Sequence, residues 1–185
     1  MYVIVVTANC SIEVLAYITY GSSSCEHVAE GYVKLNGVPV WQGSWCTGNR
    51  GVNTLLVDPF NCSVQESRYF NTYSSTGESE AFVNYLVHLV KHGSIVVGVS
   101  AGESRYINVA NLQPVGVDLR DLKIRGSFGF VVQKGYPAKT VLRKTLTEDQ
   151  SISNPPHFNA TITGINFCNA YNDLIATDRI DQIGL

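Results

Sequence analysis

The most constraining stretch of the chain is Ser94-Ile95-Val96-Val97-Gly98-Val99, an almost uninterrupted apolar run. A strand with one wet face alternates apolar and polar residues; a run without alternation needs apolar neighbours on both faces. It therefore predicts a central strand, and a central strand demands a sheet covered on each side. This run and the other long one, Tyr2–Val6, fall far short of the roughly 20 residues of a membrane-spanning helix. No membrane insertion is expected.

The flanking pattern is mostly short strands between turns. Ile12–Tyr20 is rich in β-branched and aromatic residues, and Gly21–Ser24 follows it as a turn. Tyr32–Leu35 and Val38–Trp41 flank Asn36-Gly37. Both turn residues tolerate positive φ, which predicts a tight hairpin. Pro39 has no amide hydrogen for a ladder, so its strand belongs at an edge. Val52–Asp58 and Val64–Tyr73 continue the β pattern. Then the period changes: Phe82, Leu86, Leu89 and Val90 recur at helical spacing. Ser75 or Thr76 is the N-cap, Glu78 and Glu80 complement the first turn, and Gly93 is the stop. Ile107–Leu112 reads as a short second helix. Ser127–Val132 reads as a strand with alternate residues inward, and Ala138–Leu146 and Phe158–Phe167 as further strands. The fold class is mixed α/β and β-rich: two sheets, or one curled sheet, with a helix outside.

With 45% hydrophobic residues the chain can fill a core, which excludes disorder. Its 13 basic against 15 acidic residues give a net charge of −2, so it offers no cationic field to nucleic acid. Only 15% of residues are charged, while Ser, Asn, Thr and Tyr abound, as on an extracellular surface. The start MYVIVVTANC has no basic segment and too short an apolar one for a signal peptide. Secretion then implies a signal already removed. The cysteines Cys10, Cys25, Cys46, Cys62 and Cys168 are widely spaced without a CxxC pair, as disulfide partners would be. Five is odd, so one thiol stays free or bridges two chains. Three sequons, at Asn9, Asn61 and Asn159, agree with secretion; the first two have Cys in the middle position.

One catalytic pattern occurs. Gly98-Val99-Ser100-Ala101-Gly102 reads GxSxG after a predicted strand, as a nucleophile elbow would. Such an elbow needs a helix straight after it, and no convincing helix starts at Ser100. His88 and His92 are four apart near a helix end, but without a third ligand they read as surface residues favoured by the helix dipole. HExxH, P-loop and EF-hand patterns are missing. No cofactor is expected, with calcium held by loop oxygens left open. Ten Tyr, two Trp and many Asn, Ser and Gly residues suit a sugar-binding surface, since aromatic faces cover sugar C–H patches and planar polar groups meet hydroxyls.

Three groups of residues together resemble a known family. They are Gly48-Asn49-Arg50-Gly51-Val52-Asn53, Arg68-Tyr69-Phe70-Asn71-Thr72-Tyr73, and, after the helix and central strand, Arg125-Gly126-Ser127-Phe128-Gly129-Phe130-Val131 with Lys134-Gly135. In order and spacing they look like the interleukin-like EMT inducer (ILEI) domain, found in secreted cytokine-like proteins and in the glycan-binding stem of the protein O-mannose N-acetylglucosaminyltransferase. The resemblance spans about residues 12–135 of a single domain 1–185, leaving 136–185 as a β-rich extension. It implies two antiparallel sheets packed as a sandwich with short flanking helices. It implies no catalysis, and a ligand-binding set of Arg50, Glu103 and Arg125 with Asn71 and Phe128. The sequence departs from the family at Glu103, displaced and standing alone for an acidic pair, at Gly126, which replaces Asp, and at Phe128, which replaces Trp. The expected function is a secreted, non-enzymatic, lectin-like protein recognising glycan ends on glycoproteins. A homodimer would give it two sites. The alternatives are a cytokine-like ligand for a protein receptor, and a hydrolase.

Overall fold

The computed structural model describes residues 9–16, 31–43, 50–101, 104–107, 111–147, 150 and 153–163. Nine strands lie within them: β1 (Asn9–Leu15), β2 (Gly31–Leu35), β3 (Val38–Gly43), β4 (Gly51–Val57), β5 (Val64–Phe70), β6 (Ile95–Ala101), β7 (Ser127–Gln133), β8 (Val141–Thr145) and β9 (His157–Thr163). They form two antiparallel sheets, one of four strands in the order β3-β2-β1-β9 and one of five in the order β5-β4-β6-β7-β8. The segment after residue 135 supplies one edge strand to each sheet.

The apolar run behaves as its composition requires. β6 is the middle strand of the five, and all seven of its residues are buried. β7 differs from the expected pattern of alternate burial, because all seven of its residues are buried too. Its two faces serve different cores. Phe128, Phe130 and Val132 join a core with Phe82, Tyr85, Leu86 and Val90 from the helical segment and Val115–Leu122 from the following loop. Val131 joins a second core containing Ile12, Val14, Val33, Leu35, Phe158 and Ile162 from the four-stranded sheet and Leu55, Val57, Ile95, Val97 and Val99 from the five-stranded one. Burying each such aliphatic side chain contributes roughly 1.5–3 kcal/mol. Glycine sets the spacing at two close approaches: a Cβ at Gly129 would meet Val14 and Phe158 of the opposite sheet, and one at Gly98 would enter the Phe130 ring of the neighbouring strand β7.

Local signals act where the sequence places them. Asn36 (φ 50°) and Gly37 (φ 80°) make the hairpin turn between β2 and β3, and β3, carrying Pro39, is an edge strand. Helix α1 (Thr76–Val83) starts at Ser75, whose hydroxyl accepts from the Glu78 amide at 3.2 Å. The helix then widens into a π-helical turn over Asn84–Leu89, where the Val90 amide reaches back to the Tyr85 carbonyl at 3.0 Å. The Lys134 ammonium closes that end by donating to the carbonyls of Leu86 and Val87. Burial pushes its pKa down, against a site at which a helix C-terminus favours a cation. The helix packs through Phe82 on Phe70 (5.3 Å between ring centroids) and on Phe130 (6.2 Å). The expected second helix over Ile107–Leu112 falls partly outside the described residues; of its described part, Ile107 has 3-10 geometry and Asn111 and Leu112 are not helical.

One covalent link joins the sheets. Cys10 on β1 bonds Cys62 in the turn before β5, 52 positions further along the sequence. Both belong to the core shared by the two sheets. Cys25, Cys46 and Cys168 lie outside the described residues. The sequon residues Asn9 and Asn61 flank the bridge and are exposed, as is Asn159 on β9. Asn61 also has a local role, since its Oδ1 accepts from the Ser63 amide (3.0 Å) and hydroxyl (2.7 Å). A crosslink closing a loop of this length removes about 4 kcal/mol of unfolded-state entropy in the chain model. The paired change Cys10→Ala with Cys62→Ala is expected to lower unfolding free energy by about 2–4 kcal/mol, read from urea denaturation against the oxidised parent.

On the outer face of the four-stranded sheet, Glu13 accepts from the Tyr32 hydroxyl (2.6 Å) and from Lys34 (3.1 Å), and meets His157 Nε2 at 3.1 Å. The bonds from Tyr32, His157 and Lys34, in that order, lower the Glu13 pKa from 4.5 to about 2. A carboxylate whose folded pKa is depressed stabilises the fold above its unfolded value, and that stability is lost as pH falls towards the folded value. The melting temperature should therefore drop between pH 4.5 and about 2. In Glu13→Gln that drop should be smaller, which thermal scans of both proteins across this window will measure.

Candidate functional site

The strand order gathers most of the implied residues at one end of the five-stranded sheet. Gly51 of β4 pairs with Ala101 of β6, and Val99 of β6 with Gly129 of β7. Continued by two residues, the second ladder sets Ser127 on the other side of Ala101. Arg50 and Arg125 therefore enter parallel strands that flank one neighbour, with backbones about 10 Å apart at the usual strand spacing. Val52 pairs with Phe70, so Asn71 leaves β5 at this same end. Glu103, two positions beyond β6, lies outside the described residues.

Each described residue is held by its surroundings. The Arg50 guanidinium sits 5.3 Å from the centre of the Tyr73 ring, within cation–π range. The Arg50 carbonyl accepts from the Tyr69 hydroxyl at 2.7 Å. Burial, with the Glu78 carboxylate nearby, raises the Tyr69 pKa, which keeps that phenol a donor. The Asn71 amide donates to Glu78 Oε2 at 3.1 Å, so the first turn of α1 fixes the chain as it leaves β5. Asn71 Oδ1 and Thr72 Oγ1 are buried with no hydrogen-bond partner in the structure. Orphaned buried oxygens are costly and mark a place where a ligand or water completes the structure. Arg125 is half-buried with φ 65°, a conformation that costs a non-glycine residue roughly 1–3 kcal/mol and recurs at functional sites.

A second segment closes over this end. Ser104 donates to the Gly51 carbonyl at 3.2 Å, and the Tyr106 amide to the Thr72 carbonyl at 2.9 Å. Ser79 on α1 in turn donates to the Tyr106 carbonyl at 3.0 Å. Arg105 lies over the Tyr106 ring, 5.4 Å from its centre. Sequence reasoning missed Thr72, Tyr73, Arg105 and Tyr106 as contributors. The run Phe70-Asn71-Thr72-Tyr73 was visible, but only the β4–β5 register brings Tyr73 beside Arg50. At this end Arg50 and Arg105 lie over aromatic rings, and Asn71 Oδ1 and Thr72 Oγ1 are buried without a partner. That chemistry suits a ligand rich in hydroxyls or bearing a carboxylate.

Phe128 does not belong to this group. It is fully buried in the core, stacked with Phe130 at 6.3 Å. Its position at an alternate site of β7, facing the helix side, keeps it from a ligand, which corrects its expected contact role. Ser100, whose GxSxG pattern lacks the following helix an elbow needs, is not placed as a nucleophile either. It lies inside β6, fully buried, and its Oγ accepts from the Phe128 amide at 2.9 Å. His92 packs on the Tyr136 ring at 5.3 Å. Among the described residues no group of three or more His, Cys, Asp or Glu side chains could hold a metal ion.

Gly51 is the residue on which this geometry turns. It has φ 127°, and a Cβ there would collide with the Phe70 carbonyl and press on the Thr72 amide and hydroxyl. Gly51→Ala is expected to cost about 2–3 kcal/mol from backbone strain alone and to displace Asn71–Tyr73. Thermal unfolding, with amide shifts of Asn71–Tyr73 in the folded fraction, reads both effects.

The interleukin-like EMT inducer family model matches residues 50–136, which contain every described residue of this end. Comparison with curated proteins finds no match.

Proposed function

Residues 50–136 form an interleukin-like EMT inducer domain, and on that premise we propose that the protein is a secreted, non-enzymatic, lectin-like recogniser of glycan ends. The observation that carries this reading is the stacking of Arg50 on Tyr73 beside the orphaned oxygens of Asn71 and Thr72. A pyranose offers a C–H face to an aromatic ring and a circle of hydroxyls to forked donors and bare acceptors. Arg125, entering β7 two strands away, supplies a second fork within side-chain reach. Glu103 adds a carboxylate that orients a guanidinium and accepts from a sugar hydroxyl. The reaction-free character of this reading rests on the family and on the burial of Ser100.

The scaffold belongs to the same proposal. The two sheets are read as a sandwich with α1 and the short 3-10 turns flanking it, a frame that holds the site's end rigid. Secretion is supported by the Cys10–Cys62 bridge, since such bonds persist in oxidising compartments. Three further cysteines remain after that pairing, and an odd remainder supports a disulfide-linked homodimer carrying two glycan sites. Glycoproteins are then the natural partners, because two linked weak sites gain by avidity.

A glycan panel followed by titration calorimetry tests the reading. Arg50→Ala and Arg125→Ala are each expected to weaken the best glycan at least tenfold, with near-ultraviolet circular dichroism unchanged. A panel with no saturable binder at millimolar concentration sinks it and favours the protein-receptor ligand. Binding that survives both substitutions moves the sugar site elsewhere.

A further inference from the structure

At the opposite end of the five-stranded sheet, where Gln133 pairs with Ile95 and Ile95 with Val57, a cavity of about 340 Å³ opens between the sheets. It is lined by Val131 and Gln133 of β7, Lys139, Val141 of β8, and Ala160, Thr161 and Ile162 of β9. β8 and β9 are edge strands of their respective sheets, so the cavity lies along one margin of the layer between them. Its volume falls in the range of roughly 300–1,000 Å³ typical of small-molecule sites.

Gln133 is what sets the cavity apart. Alternate residues of β7 face the four-stranded sheet, where the core includes Ile, Val, Leu, Phe, Ala and the cystine. Gln133 is fully buried on that side, yet neither its amide nitrogen nor its oxygen has a partner. Each unmade bond of this kind costs about 1–3 kcal/mol, and leucine would fill similar space without the cost. The carboxamide therefore serves something other than packing. It offers one donor and one acceptor in a plane, the complement of another amide. The walls beside it are apolar: Val131, Val141, Ala160 and Ile162. At the exposed side stand the backbone of Thr161 and the Lys139 ammonium, which lies 4.8 Å from the Tyr136 ring centre. Among the described residues no carboxylate pairs with Lys139.

We propose that this cavity binds a small carboxylate bearing an amide, an N-acylated amino acid by chemical class. The acyl chain lies against the aliphatic walls, the Gln133 side chain turns from its sealed position into the cavity to pair with the amide, and the carboxylate meets Lys139. The site is independent of the glycan reading, since Arg50 and Arg125 lie at the other end of the sheet.

The full chain is titrated by calorimetry with N-octanoylglycine, with octanoate, which lacks the amide, and with N-octylacetamide, which lacks the carboxylate. N-octanoylglycine should bind saturably, and each partial ligand at least tenfold more weakly. Gln133→Leu should cut affinity at least tenfold without lowering the melting temperature. Lys139→Gln, an exposed change that leaves the core intact, should also weaken binding at least tenfold, while Arg50→Ala leaves it unchanged. The Gln133 side-chain amide resonance of the unaltered protein should shift during the titration, which decides the matter even if Gln133→Leu does not fold. The proposal is overturned if N-octanoylglycine shows no saturable binding, if the Lys139 variant binds normally, or if the Gln133 resonance stays fixed, as a buried water alone would leave it.

Discussion

The structure depends on a sheet whose strands β6 and β7 have no wet face. β6 and β7 are buried along their whole length, so the five-stranded sheet needs a cover on each side. Residues of the four-stranded sheet share one core with it, and residues of the helical segment and of the loop through Leu122 share the other. Both covers are needed because aliphatic surface left in water forfeits roughly 25 cal/mol for each Å². The rest of the architecture follows from that demand. Gly129 stands where the four-stranded sheet comes closest, Gly98 makes room for the Phe130 ring, and Phe70, Phe82 and Phe130 pack together on the helix side.

A sheet covered on both faces can meet a ligand only at its ends or margins. That is where the unusual chemistry lies. At one end, chain entries and exits of β4, β5, β6 and β7 converge, and their backbone groups are tied down by Ser104, Tyr106, Glu78 and Tyr69. A strained arginine and two orphaned oxygens persist there because the surroundings over-determine them. At the other end, Gln133 is fully buried with neither side-chain polar atom paired. In each place local polarity is inconsistent with packing alone, and such inconsistency is expected where function has overridden stability.

The features legible in the sequence are those set by short-range physics. Asn36-Gly37 announced its turn through left-handed tolerance, Pro39 its edge through a missing donor, and Ser75 its cap through a side-chain acceptor. The apolar run at Ile95 announced a central strand because no other environment suits it. Features set by long-range register were not legible. Nothing local says that both faces of β7 are enclosed, so Phe128 looked available although the sheet hides it. Nor could spacing choose Cys62 for Cys10 among the pairings that five cysteines allow, since sheet-to-sheet packing makes that choice. Tyr73 became a partner for Arg50 only through the β4–β5 register. The π-helical turn after α1 shows the same limit, because Lys134, far off in sequence, closes its carbonyls.

The Cys10–Cys62 bond joins a residue of β1 to one inside residues 50–136, and β1 to β3 lie before that matched segment. The family boundary is thus a boundary of homology and not of solubility. Severed at residue 50, the five-stranded sheet would show Leu55, Val57, Ile95, Val97, Val99 and Val131 to water as one greasy slab. A slab of that kind recruits its own copies, so the amino-terminal hairpin and β1 act as a built-in guard against aggregation.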